Sequence, residues 1–161
     1  VIIAGTGHRP KYCPCEYNEN HPWLVELRSR LSYYLDMWKN ALDEPVIIRT
    51  GMAIGWDTWL AEEALNQELE VHAFVPFPGQ ESRWPSHSQE RYRKILDKTA
   101  NVEYSADEYH RSVFFDRDIA MITGIDKVVA LLNPEATSGG TFYTVQQAKK
   151  AKLEVVNFWQ D

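Results

Sequence analysis

The amino-acid sequence predicts an α/β protein, a mostly parallel sheet with helices on both faces, formed as one domain over residues 1–161. Three observations carry that expectation. Short apolar runs alternate with segments of helical period along the whole chain. Neither a linker, nor a low-complexity stretch, nor a short repeat interrupts the alternation. Glycine-bearing loops follow several of the apolar runs, where a strand must turn toward a helix.

The elements follow in order. Val1-Ile2-Ile3-Ala4 is a buried strand that glycine ends. From Trp23 to Leu42 apolar residues recur at Leu24, Leu27, Leu31, Tyr34, Leu35, Trp38 and Leu42, one face of a long helix. PVIIRTG (45–51) is a second strand, and Asp57 is a fair N-cap for the helix carrying Leu60, Ala61, Ala64 and Leu65. VHAFVPF (71–77) is a third strand. QERYRKILDKTA then reads as a helix, NVEYSA as a short strand and SVFFDRDIAMIT as a helix ended by Gly124. KVVALLN is a buried strand, TFYTVQQAKKAK a helix with lysines at its negative end, and LEVVNF the last strand.

Composition narrows the function classes. Hydrophobic residues make up 44% and charged residues 25%, as in ordinary globular domains. No apolar run approaches the roughly 18 residues of a membrane span. The chain opens without the pattern of a secretory signal, so a cytoplasmic location is expected. A formal charge of −6 argues against nucleic acid as a partner. RYRK (91–94) and KKAK (149–152) are local exceptions that read first as solvated helix faces. Cys13 and Cys15 flank one proline, too close for an unstrained disulfide and off the usual zinc spacing. They read as two reduced thiols, and no metal site is expected. A homo-oligomer remains open through surface helices. The aromatic YYLDMW (33–38) could serve it, although core packing explains that stretch more simply.

In a parallel sheet of this kind, ligands bind beyond the carboxyl ends of the strands, where strand order reverses. The residues just after each strand therefore matter most. The first strand leads into GTGHRP, the second into TGMAIGWD, the third into PFPGQESRW and the fifth into NPEATSGGT. A dinucleotide fingerprint would need a third glycine where Pro10 stands. Even so, Gly5 and Gly7 could let the backbone approach a phosphate, with Thr6, His8 and Arg9 beside them. Ser138-Gly139-Gly140-Thr141 joins hydroxyls to the positive end of a helix and is the best phosphate candidate. Gly51 and Gly55 are turn residues or part of the same cradle. Asp57 is a cap that can also meet a ribose hydroxyl. Arg9 and Arg117 are the charged partners for an anion, although Asp116 and Asp118 could instead hold Arg117 in a structural network. Trp56 and Trp84 are packing plugs or a stacking platform for a base.

Taken together, GTGHRP, TGMAIGWDTWLAEEAL, VPFPGQESRWPSHSQERYRKIL and FDRDIAMITGIDKVVALLNPEATSGGT resemble the SLOG superfamily, and its YpsA-like branch in particular. That superfamily joins the DNA-processing protein A family to the cytokinin-activating LOG proteins. The resemblance spans nearly the whole chain. It implies a Rossmann-like domain with a pocket for a nucleotide-derived ligand and no certain cofactor. Its ligand-binding residues would be Gly5, Thr6, Gly7, His8, Arg9, Gly51, Gly55, Asp57, Arg117, Gly139, Gly140 and Thr141. Ser138 joins them on the physical grounds above. LOG-type hydrolases resemble P-G-G-x-G-T-x-x-E, and Thr144 stands here where their glutamate falls. A threonine supplies no carboxylate, so another acid, Asp57 or Asp118, would have to serve. The expected function is a sensor or sequestering module for a nucleotide-derived molecule. Cleavage of an N-glycosidic bond in a nucleoside monophosphate is the alternative, and single-stranded DNA binding comes third.

Overall fold

The computed structural model describes residues 1–160. Six strands form one sheet: β1 (Ile2–Gly7), β2 (Ile47–Thr50), β3 (Glu70–Val75), β4 (Asn101–Tyr104), β5 (Lys127–Leu131) and β6 (Glu154–Asn157). Their order is β4-β3-β2-β1-β5-β6, and every neighbouring pair is parallel. Five α-helices connect them: α1 (Pro22–Ala41), α2 (Trp56–Asn66), α3 (Ser86–Lys98), α4 (Val113–Ile122) and α5 (Gly140–Lys150). A short 3-10 turn, Pro10–Tyr12, precedes α1. The result is the parallel α/β sheet that the alternating pattern predicts, in the Rossmann-like arrangement that the resemblance implies.

Strand alternation assigns the helices to faces. Ile3, Ile48, Val71, Val129 and Leu131 pack with the α1 and α2 side chains. Ala73 and Val75 continue that side toward α3, against Tyr92 and Ile95. From the opposite face Ala4, Phe74, Val128 and Ala130 meet α4 and α5, through Met121, Ile122, Val145 and Ala148. Helix α1 shows why such segments form. Pro22 sits at its first position, where a missing N–H leaves nothing unsatisfied. The Trp23 N–H donates to His21 Nδ1 (3.1 Å), capping the helix start. Leu24, Leu27, Leu31, Leu35 and Trp38 form its buried stripe. Removing the Leu31 side chain would cost about 2–5 kcal/mol. From YYLDMW, Leu35 and Trp38 enter the core while Tyr33 and Met37 face outward.

Two sequence expectations need correction. Glycine does not end β1. The strand runs on through Gly5-Thr6-Gly7, pairing as far as Gly7 with Leu131 of β5. The reason lies in packing, since a Cβ on Gly5 would stand 2.2 Å from Leu60 Cδ2, and one on Gly7 2.4 Å from Trp56 Cγ. Both glycines let α2 press against the strand. Nor is Asp57 the cap of α2. Gly55 takes that place with φ +102°, and Asp57 lies inside the first turn, buried.

Candidate functional site

Strand order reverses between β1 and β5: β2, β3 and β4 extend to one side of β1, while β5 and β6 extend to the other. A cavity of about 590 Å³ opens there, at the carboxyl ends of both strands. Small-molecule sites commonly measure about 300–1,000 Å³. Gly5, Thr6, Gly7, His8 and Arg9 line it from β1 and its following turn, and Ser138, Gly139, Gly140 and Thr141 from the start of α5. Asp57 and Arg117 complete the set of predicted residues that meet there. Gly51 and Gly55 do not line it. A Cβ on Gly51 would lie 2.6 Å from Arg117 Nη1, and one on Gly55 2.7 Å from the His8 carbonyl oxygen. Their work is to let neighbouring parts of the wall close up.

One side of the cavity is built to attract negative charge. The ladder of α5 begins with the Tyr143 N–H donating to the Gly139 carbonyl. The amides of Gly140, Thr141 and Phe142 therefore have no helical acceptor, and the positive end of the helix dipole stands behind them. Gly139 has φ +99°, a backbone that favours glycine. A Cβ on Gly140 would meet nothing within 4 Å. Arg9 also lines the cavity and is exposed, and its guanidinium makes no ion pair among the described residues.

The floor has a different character. Arg117, 7% exposed, donates from Nη1 to the Gly51 and Phe74 carbonyls (2.7 and 3.3 Å) and from Nε to Asp118 Oδ1 (2.7 Å). These bonds fasten α4 to the ends of β2 and β3. Asp57 Oδ2 accepts the Ala53 N–H (3.2 Å). Burial pushes the Asp57 carboxyl up to about 6, against the pull of Arg117. Burial also raises Asp118, with Arg117 again opposing. Thr144 is fully buried, and its hydroxyl stands 3.3 Å from Asp118 Oδ2 and 2.9 Å from the Gly140 carbonyl. A hydroxyl has one proton to donate, and the shorter contact is the one within α5.

His8 is a structural acceptor. Its Nε2 receives the Asn133 N–H (2.9 Å), which ties the end of β1 to the loop after β5 and leaves the ring proton on Nδ1. Burial lowers its pKa, so the ring is neutral at pH 7. Tyr12 and Trp159 pack their rings around it.

Sequence reasoning missed several lining residues. Tyr12 and Phe114 bring exposed aromatic rings, and Glu135, Ala136 and Thr137 come from the loop after β5. Phe114 had no distinguishing signal within VFFDRD, because adjacent phenylalanines read equally well as core. Trp56 proves to be a packing plug, fully buried, with Nε1 donating to the Val129 carbonyl (3.2 Å). Trp84 packs on Tyr92, away from this cavity. Cys13 and Cys15 are free, buried thiols, and burial pushes Cys13 up to about 12. Among the described residues no cluster of His, Cys, Asp or Glu could hold a metal ion, and no helix is long and apolar enough to cross a membrane. In RYRK, Arg91 is bound to Glu19 and Glu62, which neutralises one of that cluster's three cations.

Known proteins place these features in context. The YpsA family model, described as the YspA SLOG family, matches residues 3–159. A UPF0398 protein of Bacillus velezensis is 27% identical over 163 residues, covering 94% of this chain and 85% of its own. DNA processing protein A of Streptococcus pneumoniae superposes with a TM-score of 0.63 at 16% identity, over 95% of this chain and 48% of that one. The Helicobacter pylori protein, whose structure concerns its single-stranded DNA binding mode, gives 0.65 at 14% identity, over 96% and 63%. At these identities the structural likeness is one of fold. The chain spans only about half the length of the pneumococcal protein.

Proposed function

The chain belongs to the YspA SLOG family, and from that premise we propose that its cavity binds a nucleotide or a nucleotide-derived small molecule, as a sensor or sequestering module. One observation carries this reading. Amides at the start of α5 that have no helical acceptor, and the Arg9 guanidinium, which makes no ion pair among the described residues, line the same cavity as the exposed rings of Tyr12 and Phe114. Phosphate needs the first pair, and a base can stack on the second. The position at the switch point between β1 and β5 supports it further.

The experiment is a thermal-shift screen against nucleoside mono-, di- and triphosphates, cyclic nucleotides, NAD and ADP-ribose, with mass spectrometry of each mixture. Stabilisation with the ligand intact supports a binding module. No stabilisation by any phosphate-bearing compound contradicts it.

A second reading, hydrolysis of the N-glycosidic bond in a nucleoside monophosphate, is favoured by Asp118. Its carboxylate lines the cavity and touches Thr144, so an acid lies beside the position where LOG-type hydrolases resemble each other in a glutamate. Release of free base in the same mixtures, lost in Asp118→Asn, would establish it. Single-stranded DNA binding has the fold-level likeness behind it, but the net charge and the pairing of Arg91 weigh against it. Fluorescence polarisation with a labelled single strand at two salt concentrations tests that reading.

A further inference from the structure

The cavity floor carries two carboxyl groups, whereas its rim offers Arg9 and the amides at the start of α5. Asp57 and Asp118 both line the cavity and both lie beside the guanidinium of Arg117, with Arg9 a weaker charge partner of Asp57. That guanidinium has already committed Nε and Nη1 to protein acceptors. A phosphate at the floor would face two carboxyl groups, so hydroxyl donors suit it better than an anion.

Unused acceptors are present. Asp57 is 7% exposed, and its Oδ2 takes the Ala53 N–H. Among the described residues no donor reaches its Oδ1. Asp118 Oδ1 is held by Arg117. Its Oδ2 has only the long Thr144 contact, from a hydroxyl closer to the Gly140 carbonyl. Two acceptors from different helices, α2 and α4, thus line one cavity beneath an anion-attracting rim.

We propose that this floor is a ribose subsite: Asp57 Oδ1 and Asp118 Oδ2 accept hydrogen bonds from the vicinal hydroxyls of the ligand's sugar, so the cavity selects ribonucleotides over 2′-deoxyribonucleotides. This rests on the nucleotide reading above and fixes the ligand's orientation. The phosphate lies at Gly140, Thr141 and Arg9, the sugar on the two carboxylates and the base against the aromatic rim. A site that presents buried acceptors to a hydroxyl rejects the analogue lacking it, because an acceptor is then left unpaired.

The test is calorimetric titration of the four ribonucleoside 5′-monophosphates and their four 2′-deoxy counterparts into the wild type, Asp57→Asn and Asp118→Ala, with folding checked by circular dichroism. The best ribonucleotide should bind wild type at least about tenfold more tightly than its deoxy counterpart. That preference should fall to within about threefold in each variant that folds. Asp57→Asn keeps an acceptor for Ala53 and tests the idea even if Asp118→Ala does not fold. Equal affinity of wild type for both sugars would overturn the ribose subsite and leave the nucleotide reading standing. So would a preference unchanged in the variants. Failure of all eight compounds to bind wild type would overturn both.

Discussion

Gly51 and Arg117 compete for the same space: a single methyl on Gly51 would sit 2.6 Å from Nη1 and 2.8 Å from Cζ of Arg117. The guanidinium donates from Nη1 to this glycine's carbonyl at 2.7 Å. Through that contact the loop after β2 is pinned to α4, and Asp118 is held beside the cavity. Gly51→Ala should therefore push Arg117 off its carbonyls, destabilising the protein by about 1–3 kcal/mol. Urea denaturation measures it. A change below about 0.5 kcal/mol would mean that Arg117 is free to move.

The same logic applies on β1 with a different partner. A methyl on Gly7 overlaps the Trp56 ring, which is fully buried and bonded to Val129. Gly7→Ala should destabilise by a similar amount, about 1–3 kcal/mol. If denaturation shows that Gly7→Ala is neutral but weakens nucleotide binding, the glycine serves the ligand and not Trp56.

Gly140 gives the opposite expectation. Its Cβ direction is open and its backbone is helical, so a side chain there neither clashes nor strains. Gly140→Val should keep stability within about 0.5 kcal/mol, as for a surface change. It should lower nucleotide affinity at least about tenfold, by covering the amides at the start of α5. Calorimetry and denaturation on the same sample separate the two effects.

Asp57 and His8 make stability depend on pH in opposite senses. Burial lifts the folded pKa of Asp57 to about 6, from an ordinary value of 3.8. The folded state binds the extra proton between these values, so stability from this group falls as pH rises through about 6. The difference corresponds to about 3 kcal/mol. Asp57→Asn should gain about 2 kcal/mol of that relative to wild type between pH 4 and pH 7.5. His8 has its folded pKa lowered below 6.5, so its contribution is present above 6.5 and lost as pH falls through the folded value. His8→Gln should therefore lose its deficit relative to wild type as the pH drops below 6.5. Denaturant midpoints across this range check both signs.

Much of the fold was legible because strand and helix patterns are local. The stripe of α1, from Leu24 to Trp38, declares itself by period alone. The end of β1 was not, because glycine usually signals a turn. Only the packing of Leu60 and Trp56 onto Gly5 and Gly7 explains a strand that continues through both. In the site, GTGHR and SGGT were readable from residue type and position after a strand. Asp57 was assigned to a cap because its distance from Ala53 and Arg117 depends on tertiary packing. The separation of Gly51 and Gly55 from the cavity, and the entry of Tyr12 and Phe114, depend on how loops fold over one another. No spacing rule encodes that.

The central claim is that a nucleotide-derived ligand sits between the end of β1 and the start of α5. Two-dimensional ¹⁵N–¹H NMR of the wild type, titrated with ADP-ribose, AMP and inorganic phosphate, tests it most directly. A bound nucleotide should shift the amides of Gly7, His8, Gly140 and Thr141, and leave those of Trp84 and Tyr92, outside the cavity, in place. Phosphate alone should move Gly140 and Thr141. Shifts confined to residues away from the cavity, or none at millimolar concentrations of all three compounds, would contradict the claim.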